Sequence, residues 1–209
     1  MTGMTLLVLA AAYVVGSIPT GLWLGLAVHG VDIRQHGSRN IGATNTLRIL
    51  GKKLGVLAFL GDTGKGAVAV LLIAPFSTWP YAALACGLAA IIGHMASIFI
   101  RFQGGKGVAT SAGVFLALAP IPTLAALGVF LLVVAATRMV SAGSCLAAIT
   151  LAAAVLMMPH SWVAAPAHQI PDTAVFRGIV VALGVFVVFR HRANLIRIVR
   201  GQEHRLGSR

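Results

Sequence analysis

Seven long apolar runs, parted by short polar segments, leave this chain few ways to fold. The runs are Met4–Val28, Leu54–Pro75, Trp79–Ile100, Val108–Ala119, Ile121–Thr137, Ser141–Met158 and Ala174–Phe189. Lipid offers backbone amides no partners, so spans of this kind close their own hydrogen bonds as helices. The hydrophobic fraction of 58% exceeds the roughly 45–50% of soluble domains. The expected fold class is therefore all-α: one polytopic integral membrane domain covering residues 1–209. The first run is too long for the apolar core of a cleavable signal and is read as a span.

Charge sets the expected orientation. The chain has 16 Lys+Arg against 4 Asp+Glu, a formal +12. Val108–Thr137 is ambiguous, because Pro120 and Pro122 interrupt thirty apolar residues. Splitting it into two short helices gives seven spans with the N-terminus outside. One face then holds Arg34, Arg39, Arg48, Lys52, Lys53, Arg101, Lys106, Arg138, Arg190, Arg192, Arg197, Arg200, Arg205 and Arg209, which is fourteen of the sixteen basic residues. Lys65 and Arg177 fall within spans. Merging the stretch would send the basic tail outside, against the positive-inside tendency. The expected arrangement is thus seven transmembrane helices with a cytoplasmic C-terminus. The basic excess points to anionic lipid headgroups. Nucleic acid is not an expected partner, since base-stacking platforms are missing.

Three polar islands interrupt the apolar chain, and all three fall on the cytoplasmic side of this scheme. Island one runs from Asp32 to Arg48 and offers Ser38, Arg39, Asn40, Thr44, Asn45, Thr46 and Arg48. Hydroxyl, amide and guanidinium donors suit phosphate oxygens, and Gly37 and Gly42 let the backbone present its amides. Lys52 and Lys53 read as a solvated basic segment instead. Island two is Gly104-Gly105-Lys106-Gly107 ahead of an apolar helix. Its glycines permit close backbone approach beside a helix N-terminus, with Lys106 as a point charge. It is not a nucleotide-binding P-loop: Ile100 stands where the first glycine belongs, and Gly107 where Ser or Thr would hold magnesium. Island three, Arg190-His-Arg-Ala-Asn194, sets His191 and Asn194 three apart on a helix leaving the membrane. A stop-transfer cluster explains its arginines but not His191 or Asn194. Glu203 and His204 are weaker candidates.

Other features read as structure. Asp62 and Lys65, spaced i,i+3, neutralise one another. His94 is an interhelical hydrogen-bonding residue before it is a site residue. Gly16-Ser-Ile-Pro-Thr-Gly21 breaks the first span and permits close packing. Cys86 and Cys145 sit in apolar runs as core residues, and His160 and His168 occupy an outer loop without a nameable partner. No carboxylate cluster is present to hold magnesium, so neither metal nor cofactor is expected. There is no Ser-His-Asp set, no thiol in an island, and no His-x-x-x-x-Asp pair.

Together these segments resemble the bacterial acyl-phosphate:glycerol-3-phosphate acyltransferases of the PlsY type. The matching stretches are Gly16-Ser-Ile-Pro, Val31-Asp-Ile-Arg, Gly37-Ser-Arg-Asn-Ile-Gly-Ala-Thr-Asn45 with Arg48, Gly93-His94, Gly104-Gly-Lys-Gly-Val-Ala-Thr110, Arg190-His-Arg-Ala-Asn194 and Gly201-Gln-Glu-His-Arg205. The resemblance covers nearly the whole chain in order. It implies a seven-helix enzyme of the bacterial inner membrane that acts at the cytoplasmic face in phospholipid biosynthesis. Its substrates would be acyl phosphate and glycerol 3-phosphate, and its products lysophosphatidate and phosphate. By this resemblance Ser38, Arg48, Lys106, Ser144, His191 and Asn194 line the site, with Asn40, Thr44 and Asn45 supporting; Gly104, Gly105 and Gly107 join them as substrate-binding residues from the reading of island two. Arg39 stands where the family often has glycine, and Ala193 where glutamate is common. The rival class, a transporter of a phosphorylated metabolite, is disfavoured by the absence of a sequence repeat and by polar islands confined to one side.

Overall fold

The structure is a computed structural model that describes residues 2–163 and 173–207; His168 and Arg209 lie outside them. The described residues are helical, with no strand among them. The helices are α1 (Gly3–Ser17), α2 (Thr20–His29), α3 (Ala43–Val68), α4 (Ala82–Met95), α5 (Val108–Leu118), α6 (Pro120–Thr137), α7 (Val140–Met157), the single turn α8 (His160–Val163), α9 (Thr173–Arg190) and α10 (Arg192–Val199). They form two compact units, Met1–Leu118 and Ala119–Arg209.

In the first unit, the first apolar run is two helices rather than one. Pro19 cannot donate to the preceding turn, and α1 and α2 bend by 45° around Ile18-Pro19. Small residues bring the backbones together as the sequence suggested. A Cβ on Gly16 would overlap Ala90, and one on Gly93 would overlap the Tyr13 carbonyl, so α1 and α4 pack backbone to backbone. Gly66 and Gly113 do the same for α3 and α5. Cys86 is buried here among Val8, Ala12 and Ala90. The second apolar run also differs from its expected bounds. Helix α3 starts at Ala43, within island one, and passes through Gly51, which takes φ 84° and ψ 179° and kinks it. It then continues through Ala69–Ile73 and Ala74–Phe76 in altered helical windings.

In the second unit, α6 begins at Pro120, the first-turn position proline favours. Ala119 is non-helical at φ −144° and ψ 70°. The ambiguous thirty-residue stretch is therefore two helices, the alternative that the charge count favoured. Helix α7 packs between α6 and α9, with Gly143 against Phe130 and Val134, and Gly184 of α9 facing Ala148. Cys145 is buried. Helices α9 and α10 meet at a 55° bend, so island three is not the continuous exiting helix the spacing suggested.

Among the described residues, four helical segments are long and apolar enough to cross a bilayer, or six if each bent pair counts as one span. At 11 residues, α5 extends only about 16 Å, short of the roughly 30 Å hydrocarbon core.

Candidate functional site

In the first unit, island one is a built loop. A 3-10 turn at Ile33–Gln35 is capped by Asp32, whose Oδ1 accepts from the Arg34 amide at 2.9 Å. The Arg34 guanidinium hydrogen-bonds the same carboxylate at 2.6 Å and holds it below the usual carboxylate range. The chain then turns left-handed at Gly37 (φ 57°) and Arg39 (φ 56°). A side chain at that φ is costly, so Arg39 holds a conformation that glycine would take without strain.

Asn45, 1% exposed, organises this loop. Its Nδ2 donates to the Ile33 carbonyl at 2.9 Å and the His36 carbonyl at 3.2 Å, and its Oδ1 accepts from the Ser38 amide at 2.9 Å. A Cβ on Gly37 would overlap that Oδ1. Asn40 Oδ1 accepts from the Gly42 amide at 2.9 Å, closing an Asx turn into α3. Exposed Ser38 is thus held on this loop, and exposed Arg48 follows in the first turns of α3, its stem running beside the Gly37 turn. Half-buried Thr44 lies in the first turn of α3. The island's second half, from Ala43, is helical and not the loop its composition implied.

Island two follows α4 through another strained turn, with Arg101 at φ 54° and Phe102 at φ 62°. The Gly104 amide donates to the Met95 carbonyl at 3.0 Å and the Gly105 amide to the His94 carbonyl at 3.0 Å. The loop therefore lies flat on the end of α4. A Cβ on Gly104 would overlap the His94 carbonyl, so the glycine is required by space. Gly107 takes φ 82° and leads into α5, with half-buried Lys106 just before it.

The second unit carries Ser144, His191 and Asn194. The Ser144 hydroxyl donates to the Val140 carbonyl at 2.9 Å, one turn back in α7. His191, 3% exposed, stands at the bend between α9 and α10, its Nδ1 at 2.8 Å from the Val187 carbonyl. Asn194 Nδ2 donates to Glu203 Oε1 at 2.7 Å. Glu203 is a larger organiser than its place in the tail indicated. It also accepts from the Ser141 hydroxyl at 2.9 Å and from Arg197 Nε at 2.8 Å. Burial pushes its carboxyl upward, but the bonds from Asn194, Ser141 and Arg197 outweigh this and hold it below its ordinary value. One signal was available in the sequence: Glu203 is one of only four acids in a +12 chain.

No group of three or more His, Cys, Asp or Glu that could hold a metal occurs among the described residues. Their carboxylates are engaged with cations: Asp32 with Arg34, Asp62 with Lys65 at 2.8 Å, and Glu203 with Arg197. Two sets of candidate site groups result, one on each unit, each supported by its own hydrogen bonds.

Comparison with known proteins agrees with this chemistry. A family model described as glycerol-3-phosphate acyltransferase matches residues 6–201. A glycerol-3-phosphate acyltransferase of Trichlorobacter lovleyi is 43% identical over 93% of this chain and 94% of that protein. One of Geobacter sulfurreducens is 44% identical over 96% of each. Among solved structures, the chain is similar to PlsY (YgiH), an integral membrane glycerol 3-phosphate acyltransferase. Its glycerol 3-phosphate form aligns with TM-score 0.83 and 37% identity over 98% of this chain and 96% of that one. Its lysophosphatidic acid form aligns with TM-score 0.80 and 36% identity over the same shares.

Proposed function

The chain belongs to the glycerol-3-phosphate acyltransferase family, and from that premise we propose that it transfers a fatty acyl group from acyl phosphate to the 1-hydroxyl of sn-glycerol 3-phosphate. The hydroxyl oxygen bonds to the acyl carbon, the bond from that carbon to the phosphate oxygen breaks, and lysophosphatidate and phosphate leave. The hydroxyl proton passes to a phosphate oxygen or to His191. The observation that carries this reading is the donor set: Ser38, Arg48 and Lys106 lie on or beside glycine-rich turns, while the described carboxylates are already committed to cations. Such a site meets phosphate charge with protein cations. Acyl phosphate is an activated donor with a good leaving group, so holding two anionic headgroups together and excluding water supplies much of the acceleration.

We assign Ser38, Arg48, Lys106, His191 and Asn194 as the catalytic set. Arg48 and Lys106 offset headgroup charge, and hydroxyl, amide and backbone donors stabilise the oxyanion. Asn40, Thr44, Asn45, Gly104, Gly105, Gly107 and Ser144 shape or support the substrate site. Purified protein is expected to turn over acyl phosphate with glycerol 3-phosphate, and to keep full activity in EDTA. Robust turnover with acyl-CoA and none with acyl phosphate would overturn the donor.

We also infer seven membrane segments in the bacterial inner membrane, with the N-terminus outside and all three islands cytoplasmic, because that arrangement gathers the basic residues on one face. The short α5 enters this scheme with most of its face buried: Thr110, Gly113, Val114, Phe115, Ala117 and Leu118 are covered by protein. Single cysteines placed at positions 40, 106 and 194 should resist an impermeant thiol reagent applied from the periplasm. Labelling at 194 alone would restore a six-span arrangement.

A further inference from the structure

Asp62, Lys65 and His94 form a buried polar cluster in the first unit that the chemistry above leaves unused. They are 1%, 6% and 3% exposed. Lys65 Nζ donates to the Ile18 carbonyl at 2.7 Å, at the break between α1 and α2, and pairs with Asp62 at 2.8 Å. The Thr20 hydroxyl donates to Asp62 Oδ1 at 3.1 Å. On its remaining side, the same oxygen faces His94 Nδ1 at 3.6 Å, beyond hydrogen-bond distance, and that nitrogen has no hydrogen-bond partner among the described residues. A buried polar atom left in this way is uncommon and calls for a reason.

The opposite edge of the ring meets island two. If Gly105 carried a Cβ, the three atoms nearest to it would be His94 Nε2, Cδ2 and Cε1, with the first overlapping. The Gly105 amide donates to the carbonyl of the same histidine. The imidazole is thus sandwiched between a carboxylate and the residue preceding Lys106. An apolar ring would fill this volume without placing charges inside a membrane protein, which is costly.

We propose that Asp62 and His94 are positioning residues for acyl transfer. The Asp62 carboxylate, itself fixed by Lys65 and Thr20, orients the imidazole. The imidazole then sets the path of Gly104–Gly105, and so the point from which Lys106 meets a substrate headgroup. The proposal rests on the acyl-transfer reading, and wild-type turnover separates the two. A wild-type protein inert toward acyl phosphate and glycerol 3-phosphate refutes the reading itself; the variants are judged against an active wild type.

The test compares His94→Ala, His94→Phe, Gly105→Ala and the double variant Gly105→Ala/His94→Ala by steady-state kinetics and by melting temperature in detergent. A misplacement of about 1 Å far from the reacting atoms can cost roughly 100-fold, so His94→Ala is expected to lose about 30- to 100-fold in kcat/KM at a nearly unchanged melting temperature. The KM of one substrate should rise while the other holds, because the loop meets one headgroup. The double variant should be no better than Gly105→Ala. Should the alanine variant fail to fold, His94→Phe fills the ring volume without its nitrogens and must show the same loss. Near-wild-type turnover in either histidine variant, equal rises in both KM values, or recovery in the double variant would each reduce His94 to a wall and overturn the proposal.

Discussion

Lys106→Ala and Arg48→Ala are expected to lose most of their turnover in protein that still inserts and folds. Both side chains sit on segments whose shape other groups determine: Asn45 and Gly37 for Arg48, and the backbone bonds to His94 and Met95 for Lys106. Truncation therefore removes a cation without dismantling its support. In a partly desolvated site, one preorganised charge-stabilising contact is worth on the order of 2–4 kcal/mol of transition-state stabilisation, or roughly 30- to 1,000-fold in rate. Arg48 is exposed and Lys106 half-buried, so solvent screening places Arg48 toward the lower end. Lys52, exposed beside the Gly51 kink, is the control: Lys52→Ala should be nearly silent. The check is kcat/KM of purified variants alongside their melting temperatures. Equal losses at all three positions would mean that general positive charge, and not a built site, supports activity.

The parts of this fold that were legible in the sequence are those set by lipid and by sterics. Apolar runs declare helices because nothing else satisfies a backbone in hydrocarbon, and Gly16 and Pro19 announced the break in the first run. The Asp62–Lys65 pair followed from i,i+3 spacing and was found buried. What stayed hidden depends on single backbone angles or on distant partners. Nothing local distinguishes Gly51 at φ 84° from the glycines of the second run that follow it. The bend at His191 has neither proline nor glycine to mark it.

Partnership was the larger gap at the site. Asn45 keeps the company of Gly, Ser and Thr that suits a phosphate site, yet its atoms are spent on three loop groups. Glu203 lies nine residues beyond Asn194, too far along the tail for local spacing to link the two. Arg39 is a further case. By its neighbours alone, an arginine in a Gly/Ser/Asn loop attracts no notice, and only its positive φ shows the strain it carries.

His191 should bind a substrate phosphate as an imidazolium, and the pH dependence of turnover should show it. Its Nδ1 lies 2.8 Å from the Val187 carbonyl. A carbonyl can only accept, so Nδ1 carries a proton. In the neutral ring Nε2 is then an acceptor, able to take a proton from the glycerol hydroxyl but unable to donate to phosphate; only the charged ring donates from both nitrogens. The two roles thus require opposite charge states and give limbs of opposite sign. As a base, His191 would make activity fall as pH falls. As a phosphate ligand, it makes activity fall as pH rises. The second is expected, because Glu203, nine residues beyond Asn194, is already engaged by Asn194, Ser141 and Arg197. A hydrogen bond to a charged group is worth about 1.5–3 kcal/mol, so His191→Gln and His191→Asn should lower kcat/KM roughly 10- to 100-fold. Substrate phosphates titrate near pH 6 themselves, so the decisive quantity is the difference between the wild-type and variant profiles from about pH 6 to 8. Loss of an alkaline-side decline on mutation fits the ligand role. An acid-side decline that disappears on mutation would make His191 the base and return the hydroxyl proton to the protein.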